Sequence, residues 1–275
     1  MANLLLHSMS NFKEIFKEVL INIKPKIIVE IGCEYAGSTI QFLEYCKENE
    51  SVLYIIDPNP FVDVDKTLIN YSGYYKFIKK RSIEALKDIP KADLYIIDGD
   101  HNYWTVMNEL KIIFEDNTPL AILHDVGFPC DRRDLYYNPK DIPNEFLHKY
   151  SYKHGININN DIIPRGGFHG AGEFAFSVEK NKDKMGVLTA IEEFILYNKE
   201  FRYQHIPLIF GVGFIAKEEV LAKISYIISP YQIELMENLE RNRMELYLKV
   251  LELQDELDKL RESKIVRLIE KMKKR

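Results

Sequence analysis

The chain has 275 residues, 46% of them hydrophobic, and a formal net charge of −5 at pH 7. This composition suffices for one α/β domain of about 215 residues plus an appendage. The acidic balance argues against a nucleic-acid-binding protein, because such proteins carry a basic surface. The first residues lack the basic and apolar regions of a signal peptide, and no apolar run approaches the roughly 20 residues of a membrane span. Three widely spaced cysteines fit a reducing compartment, so we expect a cytoplasmic protein without stable membrane insertion.

The first predicted strand, over 27–31, is followed at once by a turn that contains glycine. Apart from Glu30 the strand is entirely β-branched and apolar, which is typical of a strand buried on both faces of a parallel sheet. Gly32 and Gly37 follow, and then Ser38, which is placed to cap the next helix. A turn of this kind lets a ligand approach backbone N–H groups near a helix N-terminus. The stretch therefore predicts a site for a nucleotide-sized ligand.

Two acids narrow the choice of ligand. The spacing Glu30-x-Gly32-x4-Gly37 departs from the Gly-x-Gly-x-x-Gly fingerprint of dinucleotide sites. A carboxylate at Glu30 suits a ligand with a cationic amino-acid end better than it suits a pyrophosphate. Asp57 ends the second predicted strand, where an acid accepts hydrogen bonds from the ribose hydroxyls of an adenosine ligand. Asp57 alone does not distinguish NAD from S-adenosylmethionine.

The remaining predicted elements alternate between strands and helices, which favours a mostly parallel, doubly wound sheet. A long segment rich in glycine, proline and tyrosine interrupts this alternation, and we interpret it as an ordered lid. In chain order, the pattern predicts a helix over 8–22, strands over 52–57 and 74–79, a helix starting at Ser82, a strand over 93–98, a helix over 106–115, a strand over 119–125, the lid over about 126–186, a helix over 186–197, and strands over 201–206 and 209–216.

Polar side chains follow the fourth and fifth strands of the predicted sheet. Asp98, Asp100 and His101 come directly after one strand, and His124 and Asp125 end the next. Because ligands bind outside the carboxyl ends of parallel strands, we expect these side chains to share one small volume. Carboxylates with an imidazole suit a divalent cation, and mostly oxygen ligands favour Mg²⁺, Ca²⁺ or Mn²⁺ over Zn²⁺. Asp100 or His101 is also a candidate base for removing a hydroxyl proton.

Two stretches carry a resemblance to a known family. Residues 26–38 resemble motif I of class I S-adenosylmethionine-dependent methyltransferases. Residues 96–106 with 123–125 resemble the group that includes macrocin-type sugar O-methyltransferases and cephalosporin hydroxylase-like proteins. The resemblance implies a Rossmann-like, mostly parallel, seven-stranded sheet and S-adenosylmethionine as cofactor. It implies cofactor contacts at Glu30, Gly32, Tyr35, Gly37, Ser38, Asp57, Ser82 and Asp98.

The same resemblance implies roles in chemistry for the polar cluster. Asp98 and Asp125 would bind a divalent cation, with Mg²⁺ the expected ion, and Asp100 or His101 would be the base. His124 stands where the family usually has an acid, although an imidazole can also bind a metal, so we include it among the ligands.

The lid contains the candidate substrate-binding residues Arg132, Arg133 and His169. Two adjacent arginines beside the site are suited to hold a carboxylate or phosphate of a substrate. Equally, the arginines could hold the lid together by pairing with acids at Asp131, Asp134 or Glu173.

We divide the chain into a methyltransferase domain over 1–216 and a helical extension over 217–275. The extension contains an a/d heptad seam, which predicts a coiled coil and a homodimer. The alternative is a helical hairpin packed on its own domain. The seam consists of Met236, Leu239, Arg243, Leu246, Val250, Leu253, Leu257 and Leu260.

The sequence thus predicts an S-adenosylmethionine-dependent O-methyltransferase acting on a hydroxyl of a small polar substrate, such as a sugar of a surface glycan or a secondary metabolite. Two alternatives stay open. One is a metal-dependent hydrolase or hydroxylase that uses the cluster of Asp98, His101, His124 and Asp125. The other is an assembly protein in which the coiled coil is the working part.

Overall fold

The computed structural model describes residues 5–164 and 166–262. The twelve strands are β1 Ile27–Ile31, β2 Val52–Ile56, β3 Tyr75–Ile78, β4 Leu94–Ile97, β5 Leu120–His124, β6 Leu135–Tyr136, β7 Tyr150–Ser151, β8 Gly155–Ile156, β9 Ile162–Ile163, β10 Ala175–Ser177, β11 Phe201–Ile206 and β12 Val212–Lys217. The α-helices are α1 Lys13–Ile23, α2 Gly37–Asn49, α3 Val64–Thr67, α4 Ser82–Ala85, α5 Tyr103–Ile113, α6 Val187–Tyr197, α7 Glu218–Leu221, α8 Ser225–Ile228 and α9 Glu234–Glu262.

Seven strands form the central sheet in the order β11-β12-β5-β4-β1-β2-β3. The strands from β1 to β5 pair in parallel, and β12 lies antiparallel between β5 and β11. This arrangement confirms the predicted Rossmann-like, mostly parallel sheet. The carboxyl ends of β1, β4 and β5 are neighbours, because Ile31 pairs with Ile97 and Ile97 with Leu123.

Hydrophobic layers cover both faces of the sheet, as the period of two along each strand requires. On one face Ile28 and Leu53 pack with Phe16 of α1 and Leu43 of α2. On the other face the alternate strand residues pack on α5 and α6. The runs of β-branched residues therefore form strands because both of their faces are removed from water.

The turn between β1 and α2 is tightly packed. Gly32 has a φ of +85°, and a Cβ at this position would lie 2.2 Å from the backbone oxygen of Asp98. Ala36, in the left-handed region, is the N-cap of α2, and no side chain caps this helix. Ser38 was predicted as the cap but lies inside the first turn, where its hydroxyl donates to Glu30 Oε1 at 2.8 Å. The prediction for Ser38 as a cap is therefore wrong.

The lid, residues 126–186 apart from Arg165, contains a three-stranded sheet in the order β6-β10-β7 and the hairpin β8–β9. Asp134 ties it to the main domain, because its carboxylate accepts hydrogen bonds from the backbone N–H groups of Tyr103 and Gly186, both at 2.8 Å. These two residues lie at the beginnings of α5 and α6, so one buried carboxylate connects two helices to the lid.

The C-terminal part does not separate from the core at residue 217. Leu221, Ile224 and Ile228 are buried in the cluster that contains α1 and α2. Farther along, α9 docks through Met244, which is 1% exposed. Arg243, predicted as a polar position of the coiled-coil seam, instead lies over the ring of Phe210 at 5.3 Å from its centroid. No helix among the described residues is both long enough and apolar enough to cross a bilayer.

Candidate functional site

Four charged side chains meet where β4 and β5 end, at the carboxyl edge of the sheet. His101 Nε2 lies 3.1 Å from Asp125 Oδ2 and 4.0 Å from Asp98 Oδ1. His124 Nδ1 lies 3.1 Å from Asp98 Oδ1 and 3.5 Å from Asp125 Oδ2. The two carboxylates therefore alternate with the two imidazoles. This is the cluster that the positions after two adjacent parallel strands predict.

His124 is buried, and both of its ring nitrogens face acceptors. Nδ1 faces Asp98, and Nε2 lies 2.9 Å from the carbonyl oxygen of Ile209. Burial alone would lower the pKa of His124, but the charges of Asp98 and Asp125 and the two hydrogen bonds raise it to about 9. The hydrogen bond from Nε2–H to the Ile209 carbonyl directs Nδ1 toward Asp98 and Asp125. The metal-ligand role of His124 stays a prediction.

His101 also fits a metal site at this edge of the sheet. Asp98, His101 and Asp125 each offer one ligand atom, and these atoms all lie within 4.8 Å of one another. Two carboxylate oxygens and one imidazole nitrogen are a donor set for a divalent cation such as Mg²⁺ or Mn²⁺. The residues present therefore fit a cation, with His124 directly beside them.

Asp100, the other candidate base, contacts the first turn of α5. Its Oδ2 accepts a hydrogen bond from the Thr105 hydroxyl at 3.2 Å. Its Oδ1 is buried and has no hydrogen-bond partner. Burial raises the pKa of Asp100 to about 6. A carboxylate with this pKa and an unused oxygen is suited to take up a proton near neutral pH.

Glu30 lies at the bottom of the turn after β1 and is fully buried. Burial raises its pKa to about 7, although its hydrogen bond with Ser38 opposes this shift. Its Oε2 and the hydroxyl of Thr39 are both buried without a hydrogen-bond partner. Buried polar atoms without partners are uncommon in proteins and call for an explanation, such as a ligand. They fit the ammonium end of an amino-acid ligand.

Asp57, at the end of β2, holds the backbone of the neighbouring turn. Its Oδ2 accepts from the N–H groups of Cys33 at 3.0 Å and Glu34 at 3.2 Å, and its Oδ1 accepts from Asn59 N–H at 2.8 Å. A carboxylate offers about four acceptor positions, so Oδ1 keeps one for a ribose hydroxyl. Asp57 therefore stabilises the backbone of the turn, in addition to the ribose binding predicted for it.

The other predicted cofactor residues differ in their surroundings. Gly37 begins α2, and a Cβ there would make ordinary contacts with the side chains of Ser10 and Ser8, at 3.5 to 3.9 Å, so its backbone does not require glycine. Tyr35 is 62% exposed and stacks on Phe61 with ring centroids 5.0 Å apart. Ser82 is buried at the first residue of α4. All three keep their predicted role as an expectation.

The two lid arginines have partners within the protein. Arg132 forms a two-pronged ion pair with Glu192 of α6, with N–O distances of 2.6 and 2.7 Å. Arg133 is buried and donates to Asn160 and to the carbonyl oxygens of Ser177 and Glu179. These partners hold Arg132 to α6 and Arg133 inside the lid, and substrate contacts for the two arginines stay a prediction.

His169 makes only a local contact. Its Nδ1 accepts a hydrogen bond from the backbone N–H of Ala171 at 3.1 Å. This bond leaves Nε2 free of a described partner, so His169 remains a candidate for substrate binding.

Sequence reasoning missed two polar residues beside the cluster. Glu109 of α5 is fully buried, both of its carboxylate oxygens lack hydrogen-bond partners, and burial raises its pKa to about 8. Its position three residues after Val106, on the apolar face of the helix, was the available signal. The Tyr137 ring is 48% exposed and lies 6.2 Å from the His101 ring, and desolvation together with the charges of Asp125 and Asp98 raises the pKa of its phenol. No spacing in the sequence indicated Tyr137.

Comparisons with known proteins give a family match and several structural similarities. A family model described as a methyltransferase domain matches residues 29–125. A search of curated proteins finds no match. The structure has a TM-score of 0.47 to the SAH-bound methyltransferase of Podospora anserina, at 14% identity over 74% of this chain and 78% of that chain. It has a TM-score of 0.42 to a methyltransferase from Geobacter sulfurreducens, at 10% identity over 78% of this chain and 80% of that chain.

The matched range 29–125 contains the turn after β1, Asp57 and all four members of the cluster at the carboxyl edge. A methyltransferase domain model thus matches the part of the chain that contains the candidate site, in agreement with the predicted S-adenosylmethionine-dependent methyltransferase.

Proposed function

We propose that the protein is an O-methyltransferase that transfers the methyl group of S-adenosylmethionine to a hydroxyl of a small polar acceptor, such as a sugar. The observation that carries this proposal is the cluster of Asp98, His101 and Asp125, whose ligand atoms lie within 4.8 Å of one another beside the turn after β1. An oxygen acceptor must lose a proton, and this cluster supplies groups that bind a cation and accept a proton.

The cofactor would lie along the turn after β1. Its sulfonium supplies an activated methyl group when it is bound. Glu30 Oε2 and Thr39 Oγ1 are the buried atoms without partners that would receive its ammonium end. Asp57 Oδ1 would accept from a ribose hydroxyl. These residues hold the donor in line with the acceptor oxygen, and such positioning supplies a large part of the rate enhancement in group transfer.

The proton of the acceptor hydroxyl would leave by one of two routes. In the first route Asp98, His101 and Asp125 would hold a cation, which would supply Lewis-acid activation of the hydroxyl, and Asp100 with its pKa of about 6 would take the proton. In the second route, without a cation, His101 takes the proton directly, and Asp125 at 3.1 Å orients its ring. We propose the first route, because the three ligand atoms lie within 4.8 Å of one another.

The test is turnover with S-adenosylmethionine and a panel of hydroxylated acceptors, followed by mass spectrometry of the methylated product. We expect His101→Ala to lower turnover by about 100-fold or more, the usual effect of removing a ligand or base. Glu192→Ala, an exposed acid on α6, is the matched control and should leave turnover unchanged. Absence of any methylated oxygen product would contradict the proposal.

Chelation separates the two routes. If Asp98, His101 and Asp125 hold a cation, dialysis against EDTA abolishes turnover and added Mg²⁺ or Mn²⁺ restores it. Full turnover after exhaustive chelation, with no metal detected by elemental analysis, would support the route through His101 alone.

We also propose that the chain forms a homodimer through α9. Leu246, Leu253 and Leu260 are 60%, 47% and 60% exposed, although they repeat at heptad spacing. The docked residues Met244 and Tyr247 lie on a different face of the helix. A second copy of the helix fits the exposed stripe, because its flanking Lys249 and the acid seven residues later, Glu256, offer charges of opposite sign to a partner helix.

A further inference from the structure

A short loop between β11 and β12 connects α9 to the carboxyl edge of the sheet. The backbone N–H of Phe210 in this loop donates a hydrogen bond to Glu240 Oε1 of α9 at 3.0 Å. Glu240 lies thirty residues later in the chain and belongs to the face of α9 that docks on the domain. Its side chain is only 13% exposed, so the bond is sheltered from water.

This loop has a backbone conformation that its residues disfavour. Ile209 has a φ of +50° and Phe210 a φ of +65°, both in the left-handed region. For a β-branched residue such as isoleucine this region is a marked outlier. Such a conformation persists only where surrounding contacts fix it, and it is concentrated near functional sites. Contacts outside the loop must therefore hold residues 208–211 in place.

The carbonyl of Ile209 faces the candidate site. It accepts a hydrogen bond from His124 Nε2 at 2.9 Å, while His124 Nδ1 lies 3.1 Å from Asp98 Oδ1. The next carbonyl, of Phe210, accepts from the backbone N–H of Gly127 at 2.6 Å, just after Asp125. Two successive carbonyl groups of the loop thus set the positions of groups beside both cluster carboxylates.

Arg243 fixes Glu240 from the other side. Its guanidinium donates to both carboxylate oxygens of Glu240 at 2.7 and 2.6 Å, and a further N–H donates to the carbonyl of Leu6 at 2.9 Å. The same group lies over the Phe210 ring. Glu240 is therefore held in one orientation. Its carboxylate is a rigid acceptor for the N–H of Phe210, the residue that follows Ile209.

From this geometry we infer that Glu240 is a positioning residue for the active site. Through the Phe210 N–H it holds the Ile209 carbonyl, which fixes the ring of His124 and thereby the carboxylate of Asp98. α9 is then part of the site's support as well as a surface for self-association, and the two tasks use different faces. The inference rests on the proposed function only in taking the Asp98 cluster as the active site.

The test uses the full chain labelled with ¹⁵N in its histidine rings. The Nε2–H signal of His124 is identified by its loss in His124→Gln, and its exchange with water is measured. In Glu240→Ala we expect this proton to exchange about tenfold faster, because the loop then opens more often. Glu240→Gln, which keeps an oxygen acceptor for the Phe210 N–H, should retain the slow signal. Glu245→Ala, an exposed acid of the same helix, is the matched control and should change nothing.

A second variant covers the case in which Glu240→Ala fails to fold, as judged by near-UV circular dichroism. Ile209→Gly relieves the disfavoured φ, so adding it to Glu240→Ala should restore a folded chain and part of the His124 protection. A slow, unshifted His124 signal in folded Glu240→Ala would overturn the inference, and so would an equal change in Glu245→Ala.

Calorimetry with S-adenosylhomocysteine on the same samples keeps the two proposals apart. We expect its dissociation constant in Glu240→Ala to stay within about twofold of the wild-type value, because Glu30 and Asp57 are not connected through the loop. No binding by the wild-type chain would contradict the proposed function alone. An unchanged His124 signal would contradict the positioning role alone.

Discussion

Two clusters of buried charge in this protein differ in how well their polar atoms are satisfied. In the lid, Arg133 donates to Asn160, Ser177 and Glu179. Beside it, Asp134 accepts from two backbone N–H groups and from the Tyr136 hydroxyl at 2.8 Å. Every charge of this cluster has partners from the chain itself. A network of this kind fixes one conformation of the backbone around it.

The carboxyl edge of the sheet shows the opposite condition. Glu30 Oε2, Asp100 Oδ1 and both oxygens of Glu109 are buried and without hydrogen-bond partners. Burial raises the pKa values of these acids to about 7, about 6 and about 8. Unsatisfied buried groups destabilise a fold, so they are retained mainly where a ligand or a reaction uses them. The acids at the carboxyl edge, whose oxygens lack partners, are therefore a better candidate for a functional site than the fully hydrogen-bonded cluster of the lid.

The largest effect on stability should come from breaking the satisfied cluster. Arg133→Ala leaves four acceptors without this donor, among them the buried Ser177 carbonyl, and we expect it to lower the free energy of unfolding by about 3–5 kcal/mol. Chemical denaturation followed by circular dichroism measures this change. The adjacent Arg132→Ala is the matched control, because its exposed ion pair with Glu192 contributes about 1 kcal/mol or less. Equal effects of the two variants would contradict the distinction between them.

The next effect concerns ligand binding at the unsatisfied edge. Asp57→Ala should weaken the binding of S-adenosylhomocysteine by about 1–3 kcal/mol, the cost of removing a charged hydrogen-bond acceptor. Isothermal titration calorimetry gives this difference directly. Asp63→Ala, which removes an exposed acid at the start of α3, should leave the affinity unchanged. An unaltered affinity in Asp57→Ala would refute the assignment of the ribose to this residue.

A smaller effect is the dependence of stability on pH through Glu109. Burial raises its pKa from 4.5 to about 8, so the folded chain keeps a proton that the unfolded chain releases above pH 4.5. Stability from this group is therefore lost as the pH rises from about 4.5 to about 8. Glu109→Gln removes this loss, and relative to wild type it should gain about 1–3 kcal/mol between pH 5 and pH 8.

Two controls isolate this effect, which is measured by urea unfolding at both pH values. Ser82 and Asp100 face Glu109, and Asp100 itself has a pKa of about 6, so Asp100→Asn is needed to separate its share. Glu115→Gln, at an exposed position just beyond α5, should keep the pH profile of the wild-type chain. A parallel profile for Glu109→Gln would show that Glu109 is charged in the folded state.

The sequence predicted the sheet well because its signal is local. The strand over 27–31 coincides with β1, since a run of β-branched residues can be buried only between two helical layers. The meeting of Asp98 and Asp125 also followed from local positions, because the carboxyl ends of adjacent parallel strands share one edge. Elements and their order could thus be inferred without knowing any side-chain contact.

The remaining contacts depend on partners that are distant in the chain. His124 bonds to the carbonyl of Ile209, 85 residues later, and nothing near His124 in the sequence indicates this partner. Arg133 likewise finds Ser177, 44 residues away. The spacing of residues shows which side chains reach one edge of a sheet. It does not show which backbone groups form hydrogen bonds with them, because those groups lie in loops that have no recognisable sequence pattern. Assigning roles within the cluster therefore needed the structure.

A similar contrast exists among the apolar side chains of α9, some of which are buried against the domain while others are exposed. Met244 is 1% exposed against the domain, whereas Leu253 and Leu257 remain 47% and 49% exposed. A long helix with an uncovered apolar stripe is stable mainly when another surface covers it. We therefore expect the full chain of 32.3 kDa to have twice this mass in light scattering at tens of micromolar.

Breaking this association should have the smallest effect on the folded domain. A chain cut after Leu248 keeps the docked residues Glu240 and Met244 but loses most of the stripe, so its mass should fall to that of a monomer. Its affinity for S-adenosylhomocysteine should stay within about twofold, because Glu240 and Met244, which dock α9 on the domain, are retained. Leu253→Glu should act in the same way, and Glu252→Gln, at the adjacent exposed position, should remain a dimer. A full-length chain that is already monomeric at tens of micromolar would rule out the coiled coil, and the exposed stripe would then need another cover.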